Sequence, residues 1–173
     1  LLELSHEYNF LILEDDAYAG MIYVGSIPPS LFSLANSNQV IYVGTMTNLI
    51  CPGLRIGWVA SSLEIRERLL AFKRDGGTNP LASGLVEFLL ETLDWEKRIE
   101  NLRDVYRGRL DSLDAHLKSL PKNYISWNKP SGGFHIWINL REDLSVDSLI
   151  EASRRFKVQV LPGALCAGGV PLS

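Results

Sequence analysis

Short apolar runs alternate with helical patterns along the first half of the chain. Apolar runs that stop at turn-forming residues are typical of buried parallel strands, and here they predict strands near residues 10–14, 40–44 and 56–60. Apolar residues at helical spacing predict helices over residues 1–8, 63–73 and 82–93. Strands that alternate with helices indicate an α/β fold for this half.

The second half shows a different pattern. A helical pattern covers residues 95–120 and ends before Pro121, and its charges are typical of a solvated helix face. Apolar and polar alternation predicts a strand over 134–140, with shorter strands at 126–127 and 158–161. Ser145 is a candidate N-cap for a helix that ends near residue 156. We therefore predict part of a large α/β domain over residues 1–95, and the long helix with a small α+β domain over residues 96–173.

Composition narrows the class of protein. Lysine and arginine number 17 against 20 aspartate and glutamate, for a formal charge of −3, so a nucleic-acid-binding surface is not expected. No run of about 18 apolar residues is present, so we expect no membrane span. Cys51 and Cys166 are too few and too far apart for a disulfide framework or a metal site. We expect a cytoplasmic protein. The chain starts in what looks like the middle of a helix, without a secretory signal, so we also expect it to be a piece of a longer protein.

The first candidate motif is Glu14-Asp15-Asp16-Ala17-Tyr18, at the end of a predicted strand. Ligands bind at that edge in open α/β sheets. A carboxylate there can hold a protonated ring nitrogen, and a tyrosine can donate to a ring hydroxyl oxygen. Solvated turn residues are the alternative interpretation of the same pattern.

The second motif runs from Gly44 to Trp58 and also follows a predicted strand. Thr45 and Thr47 could bind a phosphate through their hydroxyls, and Arg55 through its planar guanidinium. Pro52-Gly53 predicts a tight turn that brings Arg55 back toward Thr45. A surface loop with an incidental arginine is the alternative.

In order and spacing, these two motifs resemble the class I/II aminotransferases, the fold-type I family that depends on pyridoxal 5'-phosphate. Pro130-Ser131-Gly132-Gly133-Phe134 resembles the turn that opens the family's small domain, and Val160-Leu161-Pro162-Gly163 resembles a loop near its pocket. The resemblance covers essentially the whole chain and corresponds to the C-terminal portion of the family.

The resemblance implies a role for each residue of the two motifs. Asp15 would pair with the pyridinium nitrogen of the cofactor, and Tyr18 would hydrogen-bond its phenolic oxygen. The phosphate would be held by Thr45, Thr47 and Arg55. The substrates would be an amino acid and a 2-oxo acid.

Asn48 departs from the family pattern, because the family carries its Schiff-base lysine at this place. An amide is neither nucleophilic nor titratable, so it replaces neither the covalent bond nor the proton shuttle of a lysine. We therefore expect a chain with asparagine at this position to be inactive. Asn48 is engineered, natural or a sequencing artefact, and the sequence does not choose between these origins. The family's glycine-rich phosphate loop, its ring-stacking aromatic residue and its substrate-binding arginine are not recognisable here. The resemblance also implies that strands and helices which would cover residues 10–13 and 40–43 are missing, so we expect a homodimer, a higher oligomer or a marginally soluble chain.

Two other functions fit the same scaffold. The ligand-sensing half of GntR/MocR-type transcription regulators has this fold, and Gly133-Phe134-His135-Ile136-Trp137 and Pro162-Gly163-Ala164-Leu165 resemble it as well. A lyase dependent on pyridoxal phosphate is the third possibility, because reaction type is set by groups outside these motifs.

Overall fold

The computed structural model describes residues 1–18, 20–35, 38–74, 76–121 and 123–166. The chain forms two compact units. The first comprises Leu1–Leu110 with Ser131–Phe134, and the second comprises Asp111–Pro130 and the described residues from His135 onward. The division at Leu110 lies inside a helix, and the predicted domain boundary after residue 95 stays a prediction.

A three-stranded sheet organises the first unit. Its strands are β1 (Ile12–Asp15), β2 (Val40–Thr45) and β3 (Gly57–Ala60), in the order β1-β2-β3. β1 pairs parallel to β2, with Asp15 opposite Val43, and β2 pairs antiparallel to β3. The three strands predicted for this half are confirmed, and mixed helices and strands confirm the α/β class.

Six α-helices lie in the described part of the chain: α1 (Leu2–Tyr8), α2 (Leu31–Leu34), α3 (Leu63–Phe72), α4 (Pro80–Thr92), α5 (Trp95–Ser119) and α6 (Val146–Arg155). Short 3-10 turns cover Pro52–Leu54 and Gly163–Cys166. Side-chain caps start several helices: Asn79 Oδ1 accepts from the Leu81 and Ala82 amides, and Ser145 Oγ accepts from the Ser148 amide. The prediction missed α2, because four residues are too short to show helical periodicity. No helix among these is long and apolar enough to cross a membrane.

The two faces of the sheet differ in burial. Ile12 and Val40 lie on the buried face, with exposed fractions of 7% and 2%. On the opposite face Leu13 is 66% exposed and Val59 is 51% exposed. Within the described residues, the face that carries Leu13 and Val59 is therefore the more open one, while Trp58 on the opposite face is also 43% exposed.

Aromatic packing across β2 and β3 explains one glycine. The Trp58 ring lies 5.1 Å from the Tyr42 ring, and Trp58 is paired with Gly44 in the strand register. A Cβ added at Gly44 would lie 2.5 Å from the indole of Trp58. Position 44 therefore has no room for a side chain.

In the second unit, β4 (Ile125–Trp127) pairs antiparallel with β5 (Ile138–Leu140). Asp114 of α5 is buried beside them and accepts hydrogen bonds from Lys118 Nζ at 2.7 Å and from Trp127 Nε1 at 2.9 Å. The hydrogen bond from Lys118 is the larger cause, and the hydrogen bond from Trp127 the second, of a pKa of Asp114 below its usual value. The carboxylate thus joins the end of α5 to the small sheet.

Two strand predictions in this unit need correction. The strand predicted over residues 134–140 is paired only at Ile138–Leu140, because β4 offers three residues as its partner. The strand predicted over residues 158–161 is wrong, since this segment has no partner strand in the described part of the chain. It begins after Lys157, which has a left-handed φ of 58°, and the Val158 amide donates to Ser153 O instead.

Candidate functional site

The candidate residues cluster at one edge of the three-stranded sheet. β1 and β2 are parallel, so their carboxyl ends lie at the same edge. Asp15 is the last residue of β1 and Thr45 is the last residue of β2. The loops that leave these two strands carry the remaining candidates.

In the loop after β1, the two aspartates have different partners. Asp15 is exposed, and its Oδ1 accepts from the Ala17 amide at 3.1 Å. Asp16 accepts a hydrogen bond from the Tyr42 hydroxyl. Burial, together with this hydrogen bond and the carboxylate charge, raises the pKa of Tyr42 to about 12. Asp16 is thus engaged with β2, whereas Asp15 Oδ2 accepts no hydrogen bond from the described residues.

Tyr18 is positioned by an aromatic contact. Its ring meets Phe134 edge-on, with centroids 5.2 Å apart and planes at 86°, and Phe134 stacks on Tyr106 at 4.4 Å. Two glycines allow Phe134 to reach this place. A Cβ at Gly132 would lie 2.3 Å from Met21 O, and Gly133 has a φ of 82°. The Gly133 amide donates to Met21 O at 2.8 Å, so the turn that contains these glycines is fixed against the loop after β1.

The loop after β2 folds back on itself. Thr45 Oγ1 donates to Ile56 O at 3.1 Å and accepts from the Thr47 amide at 3.1 Å, and the Met46 amide donates to Ile56 O at 3.0 Å. Arg55 precedes Ile56, the residue that accepts from Thr45, and has a left-handed conformation with a φ of 53°. Within the described part of the chain, the Arg55 guanidinium and the Thr47 hydroxyl have no hydrogen-bond or ion-pair partner.

Asn48 joins the two loops. Its Nδ2 donates to Ala17 O at 2.7 Å, across a separation of 31 residues in the sequence. Residue 48 therefore lies beside the segment from Asp15 to Tyr18. An asparagine amide has no nucleophilic or titratable nitrogen, so residue 48 can neither form a Schiff base nor carry a proton.

The fold and this arrangement of loops define an α/β protein with a candidate ligand site at the carboxyl ends of its parallel strands. Residues 1–167 match the sequence model of a family described as aminotransferase class I and II. The chain belongs to this family.

Individual relatives fall into two groups. Aromatic-amino-acid aminotransferase 1 of Thermococcus litoralis is 29% identical over 94% of this chain and 40% of its own length. An uncharacterized HTH-type transcriptional regulator of Bacillus subtilis, YisV, is 28% identical over 97% of this chain and 35% of its own length. The chain thus spans well under half of the relatives that it matches.

A solved structure shows the same fold at similar identity. The α-aminoadipate aminotransferase LysN of Thermus thermophilus was solved with N-(5'-phosphopyridoxyl)-L-leucine. It superposes with a TM-score of 0.87 at 31% identity, over 94% of this chain and 43% of that chain.

The residues present fit part of what the family's cofactor requires. Thr47 and Arg55 have polar groups without partners in the described residues, which suits an anion such as a phosphate. The free oxygen of Asp15 suits a protonated ring nitrogen. Asn48, by contrast, has no amine and is bonded to Ala17 O. The site therefore fits pyridoxal phosphate held by hydrogen bonds and charge, and does not fit a cofactor bound covalently at residue 48.

Some residues that contact the two site loops have no signal in the sequence. Tyr42 has the pattern of an ordinary strand residue, and the charges of α5 are typical of a solvated helix face. In the structure, Arg98 and Arg103 donate to backbone carbonyls of the two site loops. Their acceptors are 49 and 83 residues away in the sequence, so no local pattern pointed to them.

Proposed function

We propose that this chain is a cofactor-binding part of an aminotransferase dependent on pyridoxal phosphate, and that Asn48 leaves the chain without turnover. The reaction of such a protein moves an amino group between an amino acid and a 2-oxo acid. Because the chain spans 40% of the length of the first of these relatives, the substrates are proposed for the whole protein. We also propose a cytoplasmic protein that forms a homodimer.

The chain's own residues would divide the binding task. Arg55 and Thr47 would bind the phosphate, the first by charge and the second by its hydroxyl. Asp15 would keep the ring nitrogen protonated, and the Tyr18 hydroxyl would donate to the phenolic oxygen. When bound, the ring supplies an electron sink for chemistry at the substrate's α carbon.

The hydrogen bond from Asn48 Nδ2 to Ala17 O carries the proposal. It joins the Asn48 side chain to Ala17, between Asp15 and Tyr18, and this supports the proposal that residue 48 takes the position of the family's lysine. Lysine would supply both a nucleophile and a proton carrier. The amide supplies neither, so binding without turnover is the function that this geometry supports.

Borohydride reduction in the presence of pyridoxal phosphate tests the proposal. We expect no cofactor adduct on the peptide that contains residue 48, and no transamination with a broad panel of amino acids. The Asn48→Lys variant should give an adduct on that peptide, and Asn48→Gln should not. Peptide mass spectrometry distinguishes this site from adducts at surface lysines. An adduct at residue 48 of the unaltered chain, or robust transamination by it, would contradict the proposal.

Equilibrium binding tests the phosphate contact separately. The Arg55→Met variant should weaken binding of pyridoxal phosphate by roughly tenfold or more, since a hydrogen bond to a charged group contributes about 1.5–3 kcal/mol. Arg66→Met is the matched control, because Arg66 is an exposed arginine of α3. Equal affinities for the two variants would remove Arg55 from the site.

A second candidate function is ligand sensing in a transcription regulator. The similarity to the HTH-type regulator YisV over 97% of this chain favours it, as does a site that can bind without turning over. In that case the whole protein would carry a basic winged-helix segment before this chain. The whole protein with Asn48→Lys would then show no transamination, whereas an enzyme would regain it.

A further inference from the structure

Helix α5 is linked by arginine side chains to both loops of the candidate site. Arg98 donates from Nε to Leu49 O at 3.2 Å and from Nη2 to Ile50 O at 3.5 Å, in the loop after β2. Arg103 donates from Nε to Gly20 O at 2.5 Å, in the loop after β1. Because every acceptor is a backbone carbonyl, these contacts fix the path of each loop rather than the position of one side chain.

Together with Asn48, the two arginines close a ring of hydrogen bonds. Arg98 donates to Leu49 O, and Asn48, the residue before Leu49, donates to Ala17 O at 2.7 Å. The backbone then leads from Ala17 to Gly20, whose carbonyl accepts from Arg103 on the same helix as Arg98. Neither loop can move away without breaking a bond to α5 or to the other loop. A closed ring therefore restricts the distance between the loops more than separate contacts would.

Burial and charge support a specific role for these arginines. Both side chains are half-buried, and neither has a carboxylate partner in the described part of the chain. Gly20, with a φ of 77°, lies close to α5, since an added Cβ would be 3.5 Å from Ile99. A half-buried guanidinium needs hydrogen-bond acceptors, and here the loop carbonyls supply them.

We propose that Arg98 and Arg103 are positioning residues of the candidate site. They set the spacing between the loop that carries Asp15 and Tyr18 and the loop that carries Asn48. The inference rests on the proposed function in one respect, namely that both loops hold the same ligand. The linkage of the loops through α5 can be measured without any ligand.

Amide hydrogen exchange by NMR measures this linkage. The Ile50 amide donates to Met46 O at 2.9 Å and reports on the loop after β2, and the Met21 amide donates to Tyr18 O at 3.0 Å and reports on the loop after β1. Arg98→Met should speed exchange at Ile50 roughly tenfold, and Arg103→Met should do so at Met21. Because the ring is closed, each variant should also speed exchange in the other loop by a smaller factor. The control Arg66→Met should change neither amide.

Lysine variants separate positioning from charge. Among the described residues Arg103 donates one hydrogen bond, to Gly20 O, which a lysine ammonium can replace, so Arg103→Lys should retain most of the protection at Met21. Arg98 bridges two successive carbonyls with its planar fork, which a lysine cannot do, so Arg98→Lys should exchange nearly as fast at Ile50 as Arg98→Met. Where a methionine variant does not fold, this difference between the lysine variants decides the question.

Affinity for pyridoxal phosphate completes the test. We expect Arg98→Met and Arg103→Met each to weaken binding by roughly fivefold or more, with Arg66→Met unchanged. Exchange equal to that of the control would overturn the inference. Faster exchange with unchanged affinity would overturn it too, since the arginines would then stabilise the loops without positioning a site. If even the unaltered chain fails to bind the cofactor, the proposed function fails, while coupled exchange would still support the linkage through α5.

Discussion

Gly44 and Gly84 show how neighbours decide the effect of one added methyl group. Gly44 lies on β2 beneath the indole of Trp58, and a Cβ there would be 2.5 Å from the ring. Gly84 lies inside α4, where an added Cβ would meet nothing within 4 Å. The sequence shows two glycines in regular structure, and only the packing distinguishes them.

We predict opposite effects on stability for alanine at these two glycines. Gly44→Ala should lower the free energy of unfolding by about 1–3 kcal/mol, because the aromatic pair must shift to accept the methyl group. Gly84→Ala should raise it by about 0.5–1 kcal/mol, because alanine loses less conformational freedom in a helix. Urea denaturation followed by circular dichroism measures both. A Gly44→Ala variant as stable as the unaltered chain would contradict the packing of Trp58.

At the scale of elements, Tyr42 connects three parts of the first unit. It lies on β2, its hydroxyl donates to Asp16 in the loop after β1, and its ring packs against Phe32 of α2 and Trp58 of β3. Glu14 contributes to the same region, since its carboxylate accepts from the Leu31 and Phe32 amides at 2.8 and 2.9 Å and caps α2. The loop that carries Asp15 is thus fixed from both sides.

The raised pKa of Tyr42 predicts a pH-dependent loss of stability in alkali. In the unfolded chain the phenol ionises near its usual pKa of 10.0, and in the folded chain near about 12. Below pH 10 both states keep the proton and the stabilisation is complete. It is lost as the pH rises from 10 to 12, because the folded state then holds a proton that the unfolded state has released.

This titration is measured by the absorbance of the phenolate band as the pH is raised. Subtracting the curve of the Tyr42→Phe variant from that of the unaltered chain isolates Tyr42. The Asp16→Asn variant should lower the midpoint for Tyr42, because it removes the negative charge beside the hydroxyl. A midpoint for Tyr42 near 10 in the unaltered chain would contradict the contact with Asp16.

For the whole molecule, the more open face of the three-stranded sheet is a candidate surface for the proposed homodimer. On this face Leu13 of β1 is 66% exposed and Val59 of β3 is 51% exposed. Exposed apolar residues that share one face of a sheet mark a surface suited to an apolar contact. This exposure supports the proposed homodimer, with a second copy of the chain as the partner.

We predict that acidic residues on this face shift the chain toward monomers. Leu13→Glu and Val59→Glu should each raise the monomer fraction in light scattering at high protein concentration, because a buried carboxylate at a contact is costly. Leu81→Glu is the matched control, since Leu81 is 83% exposed on α4 and lies outside the sheet. A clean monomer for the unaltered chain at high concentration would count against the homodimer.

Local patterns were sufficient for most of the fold and for the choice of candidate residues. β1, β2 and β3, the four longer helices of the first unit and the cap at Ser145 followed from periodicity and cap residues. The strand predicted over residues 158–161 failed because a strand needs a partner, and apolar composition does not supply one. The roles of Asp15, Tyr18, Thr45, Thr47 and Arg55 stay predictions, although the structure places them on two adjoining loops.

The order of elements and the two motifs could be predicted from residue types and short-range spacing, and the family resemblance adds the prediction that Asn48 stands in place of a lysine. How the two loops are joined depends on contacts that only the folded chain makes. The contacts from Asn48 to Ala17, from Arg98 to Leu49 and from Arg103 to Gly20 each link residues at least 31 positions apart. Such contacts arise where parallel strands bring their carboxyl ends to one edge and a long helix lies beside them, and no repeat or spacing in the sequence encodes that proximity.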